Sequence, residues 1–325
     1  MLAHDAYAGG ELLAEVVRSD FVEGYHRGSV AVLDATGGAV AGAGDLTGPV
    51  FPRSANKPMQ AVGMVRAGLV LHDPADLAIA AASHRGEPMH IARVRAMLRA
   101  AGLTEDDLAC PPDLPIGAAA RDAVLAAGGG PERILANCSG KHTAMLRTCQ
   151  AAGWPTIGYE RADHPLQFAL EATVEEIAGE PAAAVGVDGC GAAVFAMSLA
   201  ALAGSYLRLV TAPDGTPEAA VAAAMRAYPE LVSGAVEPEA RLMRGLPGAL
   251  VKGGAEGVLA AAVPGVGAIA IKIDDGASRA IWPVVASAFG KLGVSVPVLA
   301  ELAEQAPGVV MHGGGRPVGA VRALW

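Results

Sequence analysis

The sequence predicts an α+β fold in which a composite, mainly antiparallel sheet is flanked by helices and joined to a helical lobe. Residues 11–50 read as strands, most apolar stretches between 76 and 228 have helical spacing, and strand-like runs return from residue 250. Strands at both ends of the chain are most simply joined in one sheet. We therefore expect a single unit over residues 1–325, with a sheet lobe at about 11–53 and 245–325 and a helical lobe at about 54–244.

The N-terminal part of the chain reads as a set of paired strands. Residues 11–22 and 28–34 are rich in apolar side chains, and the polar segment 23–27 separates them. The Thr-Gly-Gly run at 36–38 predicts a turn that returns the chain through residues 39–42. We expect these strands to form the N-terminal half of the sheet.

Helices are predicted for the middle of the chain. The first is expected to start close to Ser54, because Pro58 is tolerated only in the first turn, and to end before Gly68. Alanine-rich stretches with helical spacing follow at 91–101, 118–127, 166–177, 192–203 and 217–227. The chain then closes with short β-rich runs at 250–254, 257–263 and 267–273, a helix at 277–292 and a strand at 318–324.

Composition excludes several classes of protein. Hydrophobic residues make up 52% of the 325 residues and charged residues only 18%, which is typical of a globular chain rather than a disordered one. A formal net charge of -9 argues against general nucleic-acid binding.

Location is also constrained by the sequence. The first seven residues already contain Asp5, and no positively charged segment precedes an apolar run there, so we expect no signal peptide. Residues 189–207 lack charged side chains but are mostly small, which predicts a buried helix rather than a membrane span. Four cysteines in a chain of this length do not make a disulfide framework, so we expect a reducing cytoplasm.

Ser54 and Lys57 form the first candidate reactive pair. Residues three apart share one face of a helix, so the two side chains can meet. A neutral lysine can take the proton of a serine hydroxyl without a histidine or aspartate. Lys57 must then be neutral near pH 7, which requires burial, a second cation nearby, or both. The alternative is that Ser54 only caps the helix and Lys57 is a surface cation.

A second serine and a second lysine complete the pattern. Lys252 lies on a predicted strand and precedes two glycines, which let a substrate or another backbone approach closely. Ser-x-x-Lys followed by Lys-Gly-Gly resembles the penicillin-recognising serine hydrolases, although they have threonine where Gly253 stands and a Ser-x-Asn that is not evident here. Ser83 follows a run of small residues and could pair with Lys252, and two converging lysines would lower each other's pKa. Taken alone, Lys252 also fits a surface lysine and Ser83 a turn.

The densest reactive cluster is the segment Asn-Cys-Ser-Gly-Lys-His at 137–142. It is neither a phosphate-binding loop nor a serine-hydrolase elbow, because a glycine that each motif requires is missing. Cys138 and, on a later glycine-rich turn, Cys190 could bind zinc together with Lys141 or His142, although Cys-x-x-Lys is not an ordinary zinc pattern. The alternative is two buried cysteines without a metal.

Three further residues are interpreted from the neighbouring sequence alone. Asp188 precedes Cys190 on the same glycine-rich turn and could pair with a substrate ammonium, or else form an Asx turn. Cys110 and Cys149 lie in no motif and are interpreted as structural.

Taken together, these motifs resemble the Rhizobium-type L-asparaginases, also called the asparaginase II family. The resemblance runs from about residue 12 to 323 and keeps the order of the motifs. They are Phe-Pro-Arg-Ser-Ala-Asn-Lys-Pro at 51–58, Ala-Ser-His at 82–84, the segment at 137–142, Asp-His-Pro at 163–165, Val-Asp-Gly-Cys-Gly at 187–191, Tyr-Pro-Glu-Leu-Val-Ser-Gly at 228–234 and Lys-Gly-Gly-Ala-Glu-Gly at 252–257.

The resemblance implies a fold like that of serine β-lactamases and glutaminases, hydrolysis of L-asparagine to L-aspartate and ammonia, and a homodimer. It also implies two Ser–Lys tandems, which match Ser54 with Lys57 and Ser83 with Lys252. Asp188 falls on the family's site aspartate.

A zinc site beside the tandems is implied in the same way, with ligands that match Cys138, Lys141 and Cys190. We also expect Arg53 to hold the α-carboxylate of the substrate and His84 to contribute to substrate binding.

The chain departs from the family pattern at three places. Glu-Gly-Tyr-His at 23–26 departs from the family's pattern of an acidic residue and a serine before the early histidine, and Ala192-Ala193 replace a proline that often follows Gly-Cys-Gly. Arg85 stands where a small polar residue is commoner, close enough to Ser83 to affect the substrate range.

The sequence therefore predicts an amidohydrolase with Ser54 as the preferred nucleophile, and it leaves Ser83 open for that role. Two other hypotheses remain at this stage. One is a penicillin-recognising acyl hydrolase, and the other is a metal-binding or sensor protein without turnover.

Overall fold

The computed structural model describes residues 6–325. An eight-stranded sheet is built from both ends of the chain, as the sequence predicts. Its strands are β1 (Glu11–Arg18), β2 (Phe21–Asp34), β3 (Ala39–Ala43), β8 (Leu250–Gly254), β9 (Val258–Val263), β10 (Gly267–Ile273), β11 (Val310–Gly313) and β12 (Arg316–Ala323). They lie in the order β11-β12-β1-β2-β10-β9-β8, with β3 paired to β2, and every pair is antiparallel.

The helical lobe and two small two-stranded sheets lie between β3 and β8 in the chain. The short strands are β4 (Pro49–Val50), β5 (Val185–Val187), β6 (Ala193–Phe195) and β7 (Met197–Ser198). The helices are α1 (Lys57–Arg66), α2 (Pro74–Ala80), α3 (Pro88–Ala100), α4 (Ala118–Ala126), α5 (Ser139–Ala152), α6 (Pro165–Ala178), α7 (Leu199–Thr211), α8 (Pro217–Ala227), α9 (Pro229–Val232) and α10 (Pro238–Gly245), followed after the sheet strands by α11 (Ile281–Lys291) and α12 (Pro297–Gln305).

The centre of the sheet is covered on both faces. All six residues of β9 are buried, and all but one of β10. Because successive side chains on a strand point to opposite faces, this pattern requires packing on each side. Helices α7 and α11 supply it, since both contact β10 and β2. Alanine is frequent along β9 and β10 and lets the helices pack closely on the sheet.

The first strand pair differs from the prediction. The turn lies at Ser19 and Asp20, which both have positive φ (48° and 65°), rather than at 23–27. Two successive positive φ angles are typical of the tight hairpin turns that match the twist of paired strands. The segment 23–27 is part of β2 and alternates between exposed and less exposed side chains, and this polar outer face explains why it resembles a loop in the sequence.

The predicted helix at 192–203 is also wrong in its first half. Residues 193–198 form β6 and β7, and α7 begins only at Leu199. The hydroxyl of Ser198 accepts a hydrogen bond from the N–H of Ala201 at 3.1 Å, so it caps the helix at this point. Strand β6 contacts the segment just before α1, so the β5–β6 hairpin places its turn at 188–192 beside that segment.

The helix near Ser54 is confirmed, with a difference at its start. A 3₁₀ turn over Arg53–Asn56 precedes α1, and Pro58 lies in the first turn of α1. The helix ends at Arg66, and Gly68 follows with a φ of 101°. Within residues 6–325, no helix is both long and apolar enough to cross a membrane.

Candidate active site

Ser54 lies on the 3₁₀ turn that packs against the end of β8. A Cβ atom added at Gly254 would lie 2.5 Å from the Pro52 carbonyl oxygen and 3.2 Å from the Ser54 nitrogen, so glycine is required for this close approach. Arg53, directly before the serine, has a φ of 52°, a left-handed backbone conformation that is uncommon for a non-glycine residue. Tyr206 on α7 donates a hydrogen bond to the Ala55 carbonyl oxygen at 2.8 Å and holds the turn from the other side.

Lys57 is hydrogen-bonded to Ser83. Its side chain is 2% exposed, and its Nζ donates to the Ala82 carbonyl oxygen at 2.7 Å and to the Ser83 hydroxyl at 2.8 Å. The direct Ser54–Lys57 hydrogen bond expected from the spacing is not found among the described residues. The spacing argument assumes a regular α-helix, whereas Ser54 lies in the tighter 3₁₀ turn before it.

The strand β8 carries the second lysine. Lys252 is 2% exposed, and its Nζ donates to the Gly253 carbonyl oxygen at 2.8 Å rather than to Ser83 as predicted. Burial lowers the pKa of Lys252 to about 7, with Lys57 and Arg85 adding to the effect and Glu239 opposing it. The amine of Lys252 is therefore partly neutral at neutral pH.

Burial is also the main cause that lowers the pKa of Lys57. Nearby Lys141 lowers it further, while Cys138 and Cys190, followed by Asp188, oppose the shift. A neutral Lys57 is expected to need burial, a second cation nearby, or both, and the structure provides both. The neighbouring cations are Lys252, as predicted, and also Lys141.

Two cavities meet at Ser54. The larger, of about 370 Å³, is lined by Ser54, Ser83 and Lys252 among others, and we call it the serine cavity. The smaller, of about 200 Å³, is lined by Ser54, Lys57 and Asp188 among others, and we call it the aspartate cavity. Asn137 and Ala255 also line both, so Ser54 stands on a wall that the two cavities share.

The predicted substrate-binding pair Arg53 and Asp188 lines the aspartate cavity. Arg53 Nε lies 2.7 Å from Asp188 Oδ1, and the N–H of Gly189 donates to the same oxygen at 2.9 Å. Both donors use Oδ1, which leaves the second oxygen, Oδ2, without a hydrogen bond from the described residues. Asp188 is held at the tip of the β5–β6 hairpin, where Gly191 has a φ of 87°.

His84 does not lie where the sequence predicts a substrate-binding residue. Its ring is fully buried, lines neither cavity, and stacks on His90 with ring centroids 5.2 Å apart. Its Nδ1 accepts from the N–H of Gly86, and its Nε2 is 2.9 Å from the Ser139 hydroxyl, which itself donates to the Ile134 carbonyl oxygen. The structure therefore makes His84 a packing residue beside the site. Consecutive side chains on an extended segment point to opposite sides, so Ser83 lines the serine cavity while the ring of His84 points away from it.

A cluster of thiols lies at the N-terminal end of α5, next to the aspartate cavity. Lys141 Nζ is 3.3 Å from Cys190 Sγ, and the Cys110 and Cys138 sulfur atoms lie within 4.8 Å of each other. Cys138 and Cys190 line the aspartate cavity, and all these side chains are buried. The three predicted metal-site residues are thus brought together. Cys110, which the sequence interpretation treats as structural, belongs to the same cluster.

The charges in the thiol cluster are unevenly distributed. Hydrogen bonds to Cys110 and Cys190 raise the pKa of Cys138 well above its usual value. The same hydrogen bond to Cys138, together with Lys141 and His142, lowers the pKa of Cys190 strongly. Burial lowers the pKa of Lys141, but the thiols Cys190 and Cys138 more than offset burial, so the net shift is upwards. An ammonium–thiolate pair of Lys141 and Cys190 is the favoured arrangement.

The thiol cluster fits a zinc ion by the chemistry of its donors. Sγ of Cys110 and Cys138 and a ring nitrogen of His142 all lie within 4.8 Å of one another, and two cysteines with a histidine are ordinary zinc ligands. His142 Nδ1 is 2.8 Å from the Tyr159 hydroxyl, while its Nε2 is buried and has no hydrogen-bond partner. In metal-binding histidines, one ring nitrogen is typically hydrogen-bonded to a neighbouring group and the other is free to bind the metal.

The site also contains residues that the sequence analysis did not assign. Asn137 lines both cavities, and its carbonyl oxygen accepts a hydrogen bond from His84 N–H at 3.0 Å. Glu239, at the start of α10, lines the serine cavity and acts on the pKa of Lys252. Asn137 could have been found from its position beside Cys138 in the densest motif. Glu239 carries no signal in the sequence.

Two half-buried serines and two buried lysines lie together where the helical lobe meets the antiparallel sheet. The class that the family comparison supports is an asparaginase-type hydrolase. The chain belongs to the L-asparaginase II family, whose model matches residues 14–323.

Among solved structures, the chain is similar to a β-lactamase from Mycobacterium bovis, with 17% sequence identity, a TM-score of 0.42, and coverage of 85% of this chain and 94% of that one. No curated protein matches the chain.

Proposed function

We propose that this protein hydrolyses L-asparagine to L-aspartate and ammonia, with Ser54 as the nucleophile and Lys57 as its proton acceptor. The observation that carries the proposal is the hydrogen bonding of Lys57. A neutral amine has two N–H donors and one lone pair. The two donors match the bonds to the Ala82 carbonyl oxygen and the Ser83 hydroxyl. The lone pair is then free to accept the proton of Ser54, with which Lys57 shares the aspartate cavity.

The aspartate cavity suits the amino-acid end of the substrate. Its volume of about 200 Å³ has Asp188 and Arg53 on the wall. Asp188 Oδ2 would accept from the α-ammonium and Arg53 would hold the α-carboxylate, so the substrate zwitterion would share the existing ion pair. The side-chain amide would then reach Ser54 on the shared wall.

The reaction would proceed through an ester. The Ser54 oxygen attacks the amide carbon as its proton passes to Lys57, and the backbone N–H of Ser54 is a candidate donor to the developing oxyanion. Lys57 returns the proton through the Ser83 hydroxyl to the amide nitrogen, the C–N bond breaks, and ammonia leaves. Water then attacks the ester carbon, gives up a proton to the Ser83–Lys252 side of the serine cavity, and releases L-aspartate and the Ser54 hydroxyl.

Zinc is part of the proposal as a resident ion of the thiol cluster. Cys110, Cys138 and His142 would hold it, with Cys190 beside them. Lys141 and Cys190, the other residues that match the family's zinc ligands, lie beside this group with Lys141 Nζ 3.3 Å from Cys190 Sγ. Bound zinc would supply positive charge next to the aspartate cavity and tie the loop at 110 to the start of α5.

The proposal is tested by measuring ammonia and L-aspartate release from L-asparagine by the purified, zinc-supplied protein and by Ser54→Ala. We expect turnover by the wild type and a loss of at least ~10³-fold in kcat for the variant. Ser278→Ala is the matched control, because Ser278 lines the serine cavity without a proposed role. Folded, zinc-loaded wild type without turnover would contradict the asparaginase proposal, and covalent labelling of Ser54 by a fluorescent penicillin would then favour an acyl hydrolase of the penicillin-recognising type.

Three other expectations from the sequence stay predictions. They are a single catalytic unit formed by both lobes, a homodimer, and a cytoplasmic location. Size-exclusion chromatography with light scattering measures the second of these directly.

A further inference from the structure

The serine cavity is much larger than asparagine hydrolysis requires. If the amino-acid end of the substrate lies in the aspartate cavity, the serine cavity has to hold only the departing amine and, after it, the attacking water. Ammonia is about the size of water, which occupies roughly 30 Å³ in the liquid. The serine cavity has about 370 Å³, roughly ten times that room. Cavities above ~300 Å³ are of the size that holds drug-sized ligands.

The wall of the serine cavity changes character away from the catalytic residues. Ser54, Ser83 and Lys252 form the polar end. The remaining wall also contains polar residues such as Arg85, Glu237 and Ser278. Its apolar part, which we call the apolar end of the cavity, is lined by Ile116 from the loop before α4, by Ile281 and Trp282 of α11, and by Pro307 after α12.

Two of the charged side chains in this cavity are paired with each other, since Arg85 Nη2 is 2.5 Å from Glu237 Oε2. A ligand group in this space therefore need not carry a charge of its own, and an apolar group gains by covering the apolar wall. Trp282 is one of the lining residues, and an aromatic residue in the wall favours an aromatic or flat aliphatic group.

From this arrangement we infer that the site accepts N4-substituted L-asparagines, in which the amide nitrogen carries an apolar group that occupies the apolar end of the serine cavity. The inference rests on the proposed function and names a wider substrate class for the same site. The leaving group would be a primary amine in place of ammonia.

The chemistry is the same hydrolysis with a larger leaving group. The Ser54 oxygen forms a bond to the amide carbon and the C–N bond breaks, while the serine proton passes through Lys57 and Ser83 to the departing amine. Water then forms the new C–O bond, the ester bond breaks, and Ser54 regains a proton. The products are L-aspartate and the free amine, with no oxidant or reductant involved.

The test uses N4-benzyl-L-asparagine, with L-asparagine in parallel, and follows benzylamine and L-aspartate by chromatography. We expect the wild type to hydrolyse the benzyl amide with a kcat/KM no more than ~10-fold below that for L-asparagine. Ile116 lies on a partly exposed loop, and Ile116→Trp narrows the apolar end of the serine cavity. This variant should lower the ratio of kcat/KM for the benzyl amide to kcat/KM for L-asparagine by at least ~10-fold. The matched control is Ala119→Trp, which adds the same side chain at an exposed position outside the cavity and should leave the ratio unchanged.

The possible failures are distinguishable. Hydrolysis of L-asparagine without hydrolysis of the benzyl amide would overturn this inference and leave the proposed function standing. Failure with both substrates would overturn both. Hydrolysis of both with the same ratio in wild type and Ile116→Trp would show that the substituent does not use this cavity.

Discussion

Two regions of this molecule contain equally buried lysines but shift the pKa of those lysines in opposite directions. Lys57, Lys141 and Lys252 are all 2% exposed or less. In the serine region, burial and neighbouring cations lower the pKa of Lys57 and Lys252. In the thiol cluster, the thiols around Lys141 outweigh burial and raise its pKa. The comparison shows that burial alone does not make a lysine a base, because the charge of its neighbours decides the sign of the shift.

The largest expected difference between the regions is in turnover. Lys57→Met removes the proton acceptor but keeps most of the side-chain volume, so we expect kcat for L-asparagine to fall by at least ~10³-fold. Lys141→Met removes a cation of the thiol cluster and should lower kcat by no more than ~10-fold. Steady-state ammonia release measures both. An equal loss in the two variants would remove the functional distinction between the regions.

Lys252→Met should separate activity from stability. We expect kcat to fall by ~10²-fold, since a polar group of the serine cavity is lost. The free energy of unfolding at pH 7 should instead rise by ~1–4 kcal/mol, because a buried amine that forms no salt bridge with the described residues is replaced by an apolar side chain of similar size. Urea unfolding at pH 7 measures the change, and a less stable variant would contradict the lowered pKa.

The sign of the pH dependence follows from the same pKa. The folded value for Lys252 is about 7, and the unfolded value is ~10.4. The unfolded chain therefore binds more protons between these values, so stability rises with pH across this window and the penalty is complete below about pH 7. In Lys252→Met this rise should disappear. Unfolding curves of both proteins between pH 6 and ~10 test it.

Gly254→Ala probes the geometry of the serine region. The added Cβ would lie 2.5 Å from the Pro52 carbonyl oxygen, so the turn that carries Ser54 must shift. We expect kcat to fall by ~10-fold or more, with zinc content unchanged, because shifts of about 1 Å at a reacting group are costly. Gly24→Ala is the matched control, since Gly24 lies on a strand with open space around its Cβ position. Full activity of Gly254→Ala would show that the turn tolerates displacement.

The smallest expected effect on turnover comes from the thiols. Cys110→Ser should reduce bound zinc, measured by mass spectrometry of the metal, while kcat falls by only a few-fold. Cys149→Ala changes a cysteine that lies on α5 outside the cluster and should keep its zinc. Equal zinc content in wild type and Cys110→Ser would remove Cys110 from the proposed ligands.

The sequence predicts the fold better than it predicts the site's contacts. Apolar runs at both ends of the chain are enough to indicate one sheet built from both termini, because strand patterns are local. The same local patterns miss the turn at Ser19 and Asp20, since the polar outer face of β2 resembles a loop. They also miss β6 and β7, whose small residues fit a helix equally well.

At the candidate site, the motifs predict which segments come together but not which side chains in them are hydrogen-bonded. Ser54, Ser83, Lys57 and Lys252 do converge, yet the hydrogen bond joins Lys57 to Ser83. Spacing along one helix cannot reveal a contact made across two loops. Cys110 reaches the thiol cluster for the same reason, because only the fold brings its loop beside α5.

The most direct test of the central claim is to trap the acyl-enzyme. Protein quenched in acid during turnover of L-asparagine is digested and analysed by peptide mass spectrometry. The account predicts one aspartyl ester on the peptide that contains Ser54, absent from Ser54→Ala and from Lys57→Met. An ester on Ser83 instead would contradict the assignment of the nucleophile.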